Sequence, residues 1–255
     1  MQVIVNDLVV TYRRSGTGPL MVMLHGWADS SQTFNQLLPL LEPHFTIVTI
    51  DLAGFGGSQP PHKAWGLRDY ALQLRDTLQK IAIMPNDVTV IVGHSNGGAV
   101  ALTAVAHEYV RPKKMILLAS SGIRSKGKFK KHLVTAVAKT GKLVTVVLPK
   151  KRRSALRQKL YHAAGSDYLV AEHLQETFVK IVSQDVLPMA EKVHIPTLLL
   201  YGELDTVTPV THGQLLQNTI VGSELRVVQN ADHFLHQNHA EQVASYMTKF
   251  TGTNA

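Results

Sequence analysis

The feature that most constrains the fold is a β-branched run that ends at a serine bracketed by glycines and continues into an alanine-rich helical pattern. The run starts at Val88, and Gly93 and Gly97 bracket Ser95. A strand, a Gly-x-Ser-x-Gly turn and a helix in this order are typical of a nucleophile elbow, in which a strained turn projects the serine hydroxyl from the sheet. The glycines are needed where a side chain would collide. The alternative is an ordinary strand-to-helix turn, in which the glycines have no catalytic significance.

Two backbone N–H groups are predicted to face the space in front of this serine. Asn96 precedes the helical pattern, so its N–H is one candidate donor to a developing oxyanion. A second apolar run, Leu20–Leu24, predicts a strand that is buried on both faces. The run stops before Gly26, where the chain can turn back toward the serine, and the N–H of Trp27 is the second predicted donor. The alternative is an ordinary glycine at a strand end.

Strands and helices alternate through most of the chain, which predicts a mainly parallel sheet in an α/β fold. The alternation stops between residues 122 and 188, which predicts an inserted helical cap on a core formed by 1–121 and 189–255. The predicted strands are an opening hairpin at 3–12 and the segments 20–24, 44–50, 88–92, 115–119, 196–201 and 225–229. The predicted helices are 31–41, 67–81, 100–107, 155–163, 169–182 and 240–250.

The composition limits the class of protein. A chain of 255 residues with 45% hydrophobic residues can form one sizeable α/β core. The sequence has no cysteine, which excludes disulfides, a thiolate nucleophile and cysteine-ligated metals. The first ten residues lack a basic leader, and no apolar run reaches the length of a membrane span. We therefore predict a soluble, cytoplasmic protein with no transmembrane segment.

The positive charge is concentrated in one segment. Residues 109–166 contain 16 Lys or Arg and no Asp or Glu, within a chain of formal net charge +8. Together with the apolar run 143–148, this segment could attract anionic lipid headgroups or an acidic substrate. The alternative is a solvated face of the cap that keeps the protein soluble. Nucleic acid is disfavoured as a partner because no recognition motif accompanies the charge.

A nucleophilic serine needs a base, and the base needs an orienting acid. In open α/β sheets such groups collect beyond the carboxyl ends of the strands. Of the 13 histidines, His233 directly follows the last predicted strand, and it is the predicted base. Asp205 lies beyond the strand that ends at Tyr201 and is the predicted acid, with Glu203 as its rival. The predicted nucleophile, acid and base therefore occur along the chain in the order Ser95, Asp205, His233.

The other histidines and the second glycine-rich loop are given structural roles. His25 and His94 are predicted to be structural hydrogen-bonding groups. His236 and His239 are three residues apart and are interpreted as solvated helix residues rather than as a metal pair. The loop at 51–58 lacks the Gly-Lys-Ser/Thr ending of a P-loop and the spacing of a dinucleotide fingerprint, so nucleotide binding is disfavoured.

Over nearly its whole length the chain resembles the α/β-hydrolase family. The matching blocks occur in family order, at residues 25–27, 51–58, 93–98, 196–205 and 233. The resemblance implies an eight-stranded, mostly parallel sheet with helices on both faces and a cap over the site. Relatives commonly carry Met, Gln or Leu at the position of Asn96, a departure that bears on the pocket wall but not on the backbone donor. Ser95 disfavours the dehalogenases and epoxide hydrolases of the family, which use an aspartate nucleophile.

The predicted activity is that of a serine hydrolase acting on a small-molecule substrate. Such an enzyme is expected to cleave carboxylic esters of small to medium acyl chains through an acyl-enzyme. A covalent serine mechanism needs no metal and no cofactor, so none is predicted. The alternatives are lactone, amide or carbon–carbon bond hydrolysis with the same triad, and a ligand-binding protein without catalysis.

Overall fold

The computed structural model describes residues 1–124 and 174–253. In this part of the chain eight strands form one sheet in the order β1-β2-β4-β3-β5-β6-β7-β8. The hairpin β1–β2 and the β2–β4 pair are antiparallel, and the other pairs are parallel. The strands are β1 (Gln2–Val5), β2 (Leu8–Ser15), β3 (Leu20–Leu24), β4 (Thr46–Ile50), β5 (Val90–His94), β6 (Lys114–Leu118), β7 (Thr197–Gly202) and β8 (Ser223–Val228). The predicted fold class is therefore confirmed.

Helices and short helical turns connect these strands. A 3₁₀ turn covers Ser31–Phe34. The α-helices of the described residues are α1 (Leu38–Leu41), α2 (Leu67–Lys80), α3 (Asn96–Ala106), α4 (Gln175–Val182), α5 (Leu187–Ala190), α6 (Val210–Thr219), α7 (Leu235–Asn238) and α8 (Ala240–Thr251). None of the helices in this part of the chain is long and apolar enough to cross a membrane.

The core lies on both faces of the sheet because its central strands are buried on both sides. Successive side chains of a strand point to opposite faces. Val22 and Leu24 of β3 accordingly pack into one apolar cluster, while Met21 and Met23 pack into another. All four side chains are fully buried, and each such burial stabilises the fold by about 1.5–3 kcal/mol. Because β3 to β8 run parallel, the carboxyl ends of these strands lie at one edge of the buried sheet.

The predicted helix at 31–41 is wrong as a single element. The structure has the 3₁₀ turn Ser31–Phe34 and the separate helix α1, which begins at Leu38. Pro39, in the first turn of α1, has no N–H to donate to the carbonyl of Asn35, so a continuous helix cannot form across the junction. The turn is capped by the hydroxyl of Ser30, which accepts from the N–H of Gln32.

Only part of the predicted cap, 122–188, falls within the described residues. Helix α4 lies inside the predicted helix 169–182, whereas the predicted helix 155–163 and most of the basic segment lie outside the described residues. The ring of Phe178 in α4 is 5.2 Å, centroid to centroid, from that of Trp27, and the Thr177 hydroxyl accepts from the N–H of Trp65. The cap boundaries stay a prediction.

Candidate active site

The predicted nucleophile, Ser95, lies on a strained turn between β5 and α3. Its backbone has φ 50° and ψ −116°, a conformation that costs a non-glycine residue about 1–3 kcal/mol. Hydrogen bonds on both sides hold it there. The N–H of Ser95 donates to the carbonyl of Leu118 at the end of β6, and the carbonyl of Ser95 accepts from the N–H of Ser121, both at 3.0 Å.

The glycines around Ser95 lie where the backbone approaches other chain segments closely. A Cβ at Gly93 would collide with the backbone of the first turn of α3. At Gly97 it would collide with the carbonyl oxygens of Leu24 and His25, at the end of β3. At Gly26 it would lie only 3.3 Å from the Cβ of Ser95. The three glycines let the ends of β3 and β5 and the start of α3 meet around this serine.

Asp205 and His233, which are 28 residues apart, meet beyond the carboxyl ends of β7 and β8. Nδ1 of His233 is 2.8 Å from Oδ2 of Asp205. The other carboxylate oxygen, Oδ1, accepts from the backbone N–H groups of Val207 and Thr208, both at 2.8 Å. Burial alone would raise the pKa of Asp205, but hydrogen bonds from His233 and Thr208 outweigh it and lower that pKa. The carboxylate is therefore held ionised and in one orientation.

The rival acid, Glu203, lies apart from this pair. Its side chain is exposed, and its Oε2 accepts from the backbone N–H of Asn230 at 2.9 Å. Glu203 thus links the loop after β7 to the loop after β8. Asp205, and not Glu203, contacts the imidazole of His233.

The elbow and the His233 loop are joined through His94, the residue before Ser95. Nε2 of His94 is 3.0 Å from the backbone carbonyl oxygen of His233, and the two rings lie 4.9 Å apart, centroid to centroid. A carbonyl oxygen can only accept, so Nε2 carries the proton. The Ser95 hydroxyl and the imidazole of His233 are not hydrogen-bonded to each other, and this hydroxyl has no partner within 1–124 and 174–253. Such bonds often tighten only when substrate is bound.

The two predicted oxyanion donors are the backbone N–H groups of Trp27 and Asn96. Neither the backbone N–H of Trp27 nor that of Asn96 donates to an acceptor among the described residues. Asn96 is the first residue of α3, where an N–H has no partner within the helix. Three buried side-chain atoms of the same two residues also lack a partner in the described part of the chain: Nε1 of Trp27, and Oδ1 and Nδ2 of Asn96.

A family model described as "Alpha/beta hydrolase family" matches residues 21–246. The chain belongs to the alpha/beta hydrolase family. The predicted family and the prediction of a hydrolase are thereby confirmed.

Relatives of this alpha/beta hydrolase span most of its length. A pimeloyl-[acyl-carrier protein] methyl ester esterase of Vibrio vulnificus is 27% identical over 259 residues, covering 94% of this chain and 97% of the relative. An esterase from Exiguobacterium antarcticum superposes with a TM-score of 0.79 at 19% identity, covering 98% of both chains. A bacterial membrane phospholipase A superposes with a TM-score of 0.77 at 20% identity, covering 100% of this chain and 86% of the other. At these identities the two structures show the fold alone.

The glycine-rich loop at 51–58 of this hydrolase is a folded turn around Asp51. The Asp51 carboxylate accepts from the N–H groups of Ser31, at 2.7 Å, and Gly57, at 2.9 Å. Gly56 has φ +54°, and a Cβ there would collide with the same carboxylate. The N–H of Gly57, a loop group that could otherwise bind an anion, thus donates to the Asp51 carboxylate of the same chain.

The prediction that His236 is solvated is wrong. His236 is fully buried, and its Nε2 is 2.8 Å from the Thr33 hydroxyl, on the 3₁₀ turn. Burial lowers the pKa of His236 to about 3, helped by repulsion from a protonated His233, and burial also lowers the pKa of His94 well below its usual value. His239 is half-buried and is the N-cap residue that precedes α8. Within the described residues no cluster of His, Cys, Asp and Glu side chains could hold a metal ion.

The remaining structural role predicted for a histidine concerns His25. Its Nε2 accepts from the N–H of Leu52 at 2.9 Å, so Nδ1 carries the proton and donates to the carbonyl of Gly26 at 2.7 Å. Burial lowers the pKa of this imidazole. The ring therefore joins the end of β3 to the loop after β4, and these hydrogen bonds agree with the structural role predicted for His25.

Sequence analysis missed one residue of the site, Thr208. Its hydroxyl oxygen lies 2.7 Å from Oδ2 of Asp205 and 3.1 Å from Nδ1 of His233. The available signal was the spacing Asp-x-x-Thr, in which an aspartate commonly accepts from N–H groups two and three residues later and closes a turn.

Proposed function

We propose that this hydrolase cleaves carboxylic esters of small to medium acyl chains through an acyl-enzyme. Its family and a methyl ester esterase relative support a hydrolase that acts on ester bonds. Ser95 is the proposed nucleophile, His233 the base and Asp205 the orienting acid. The observation that carries the proposal is the 2.8 Å hydrogen bond between His233 and Asp205, on loops joined to the strained turn at Ser95.

The hydrogen bond sets the protonation pattern that the reaction needs. An ionised carboxylate can only accept, so Nδ1 of His233 carries the proton and Nε2 offers its lone pair. In the proposed first step Nε2 takes the proton of Ser95 while Oγ attacks the acyl carbon. The imidazolium, stabilised by Asp205, then gives that proton to the departing alcohol oxygen. A water molecule repeats both steps on the acyl-enzyme and releases the acid.

The backbone N–H groups of Trp27 and Asn96 are the proposed oxyanion donors. Both are free of other acceptors within the described residues, which supports this assignment. A donor of this kind lowers the barrier by roughly 3–4 kcal/mol. Because the donors belong to the backbone, substitutions of the two side chains leave them in place.

The same groups would serve a lactone, an amide or a carbon–carbon bond. One relative is a methyl ester esterase, so methyl esters belong in the first panel of substrates. Contact of the basic segment 109–166 with anionic lipid or an acidic substrate stays a proposal. A series of p-nitrophenyl esters from acetate to laurate measures the acyl-length limit, and a cut-off at medium length is expected.

The test of the proposed function is Ser95→Ala. We expect this variant to abolish hydrolysis of p-nitrophenyl butyrate. The circular dichroism spectrum and the urea midpoint should stay unchanged, because alanine keeps the same strained backbone. Ser245→Ala, at an exposed position on α8, is the matched control and keeps full activity. Turnover by Ser95→Ala at the level of this control would refute the proposal.

A further inference from the structure

Thr208 is a buried hydroxyl between the acid, the base and the sheet. It lies on the loop between β7 and α6, with 3% of its surface exposed. Its Oγ1 has three close neighbours: Oδ2 of Asp205 at 2.7 Å, the carbonyl oxygen of Ala119 at 3.0 Å and Nδ1 of His233 at 3.1 Å. A threonine hydroxyl has one proton and two lone pairs, so these contacts restrict where its proton lies.

The shortest contact decides the main position of that proton. Two oxygens 2.7 Å apart repel each other unless a proton lies between them, and the carboxylate of Asp205 has none to give. Thr208 therefore donates mainly to Asp205 and shares the bond with the Ala119 carbonyl. Its lone pairs then face Nδ1–H of His233, so the imidazole proton is shared between Oδ2 of Asp205 and Oγ1 of Thr208.

The contact with Ala119 connects the acid to the elbow. The carbonyl of Leu118 accepts from the N–H of Ser95, and the next carbonyl, that of Ala119, accepts from Thr208. Ala119 directly follows β6 and turns away from the strand conformation, with φ +45°. The end of β6 and the residue after it thus hold both the nucleophile turn and the acid loop.

From this geometry we propose that Thr208 is a positioning residue that acts through Asp205. It fixes the carboxylate, and with it the imidazole of His233, relative to Ser95. This inference rests on the proposed function.

Thr208→Val keeps the branched shape and replaces the hydroxyl by a methyl group. Oδ2 of Asp205 then keeps a single donor, and the tie to Ala119 is lost. Losing a hydrogen bond to a charged group corresponds to a decrease in rate of roughly tenfold or more. We expect kcat for p-nitrophenyl butyrate to fall ten- to hundredfold with KM unchanged, and Thr208→Ser to restore kcat to within about threefold. Thr211→Val, at an exposed position on α6, is the matched control and keeps the wild-type kcat.

A double-mutant cycle with Asp205→Asn tests whether the effect runs through the carboxylate. We expect Thr208→Val to change the residual kcat of Asp205→Asn by less than about threefold. A wild-type kcat for Thr208→Val, or the same fold-loss in both backgrounds, would overturn the proposal. If Thr208→Val does not fold, Thr208→Ala and Thr208→Ser give the same comparison. Ser95→Ala, assayed alongside, separates the two ideas: its full activity would refute the proposed function, whereas its inactivity with a wild-type Thr208→Val would refute the role of Thr208 alone.

Discussion

The two sides of the candidate site differ in how completely their polar groups are paired. On the acid–base side, formed by Asp205, Thr208 and His233, both carboxylate oxygens and Nδ1 of the imidazole have close partners. On the oxyanion side, named for the proposed donors and formed by Trp27, Ser95 and Asn96, the Ser95 hydroxyl and both backbone N–H groups have no partner among the described residues. The acid–base side is paired without substrate, whereas on the oxyanion side the proposed donors have no acceptor within the described part of the chain.

The oxyanion side carries an energetic cost that the acid–base side does not. A buried polar atom without a partner costs about 1–3 kcal/mol, and strain of the kind seen at Ser95 costs a similar amount. The carboxylate of Asp205, in contrast, accepts several hydrogen bonds, which offset the free-energy cost of burying its charge. Such an arrangement suits catalysis, because donors aimed at a developing charge need no reorganisation during the reaction.

The largest expected effect comes from removing the charge on the acid–base side. Asp205→Asn keeps the shape, but the amide can donate to Nδ1 of His233 and so hold the imidazole in the wrong tautomer. We expect kcat for p-nitrophenyl butyrate to fall by about 10⁴. Glu203→Gln is the control and keeps kcat within about twofold, because Glu203 contacts the Asn230 N–H rather than the imidazole. Equal losses in the two variants would contradict the division of the site into these two sides.

The next effect concerns acid stability. His94 and His236 lie behind the acid–base side, and burial lowers the pKa of both. In the unfolded chain a histidine binds a proton below about pH 6.5, whereas folded His236 does so only near pH 3. The stability from neutral His236 is therefore complete above about pH 6.5 and is lost as the pH falls toward 3, at about 1.4 kcal/mol per pH unit.

His236→Phe removes this titration. As the pH is lowered from 6.5 to 4, the free energy of unfolding in urea should fall less steeply in this variant than in the wild type. The difference in slope should correspond to about one bound proton. His62→Phe, at an exposed position, is the matched control and keeps the wild-type slope. If His236→Phe and wild type show parallel slopes, His236 is protonated in the folded protein, and the neutral packing behind the acid–base side is refuted.

Much of the fold could be predicted because its signals are local. The apolar run Leu20–Leu24 coincides with β3, and the Asn6-Asp7 turn joins the predicted hairpin. The elbow is also local, since a strand, a glycine-bracketed serine and a helix follow one another directly. Helix α6 is absent from the predicted helices because its apolar pattern is weak: only Gly213 and Leu216 of that helix are buried.

The features that sequence reasoning missed depend on long-range contacts. The partner of His236 is Thr33, which is 203 residues away, so its local helical position said nothing about burial. Thr208 contacts Ala119, 89 residues away, through a carbonyl group that any residue would supply. The proximity of Asp205 and His233 could be predicted because the carboxyl ends of the strands converge at one edge of a parallel sheet. What lies behind that edge depends on packing, which no local pattern specifies.

The smallest expected effect is on the oxyanion side, where it separates the side chain of Asn96 from its backbone. Asn96→Leu replaces a buried amide, which has no partner within 1–124 and 174–253, by an apolar group of nearly the same shape. We expect the free energy of unfolding in urea to rise by about 1 kcal/mol, because the cost of the unpaired atoms is removed. Hydrolysis of p-nitrophenyl butyrate should stay within about threefold, because the backbone N–H is retained. Asn218→Leu, at an exposed position, should change stability by less than about 0.5 kcal/mol. A clear loss of stability in Asn96→Leu would mean that the amide is paired in the folded protein, and the contrast between the two sides would then rest on the backbone donors alone.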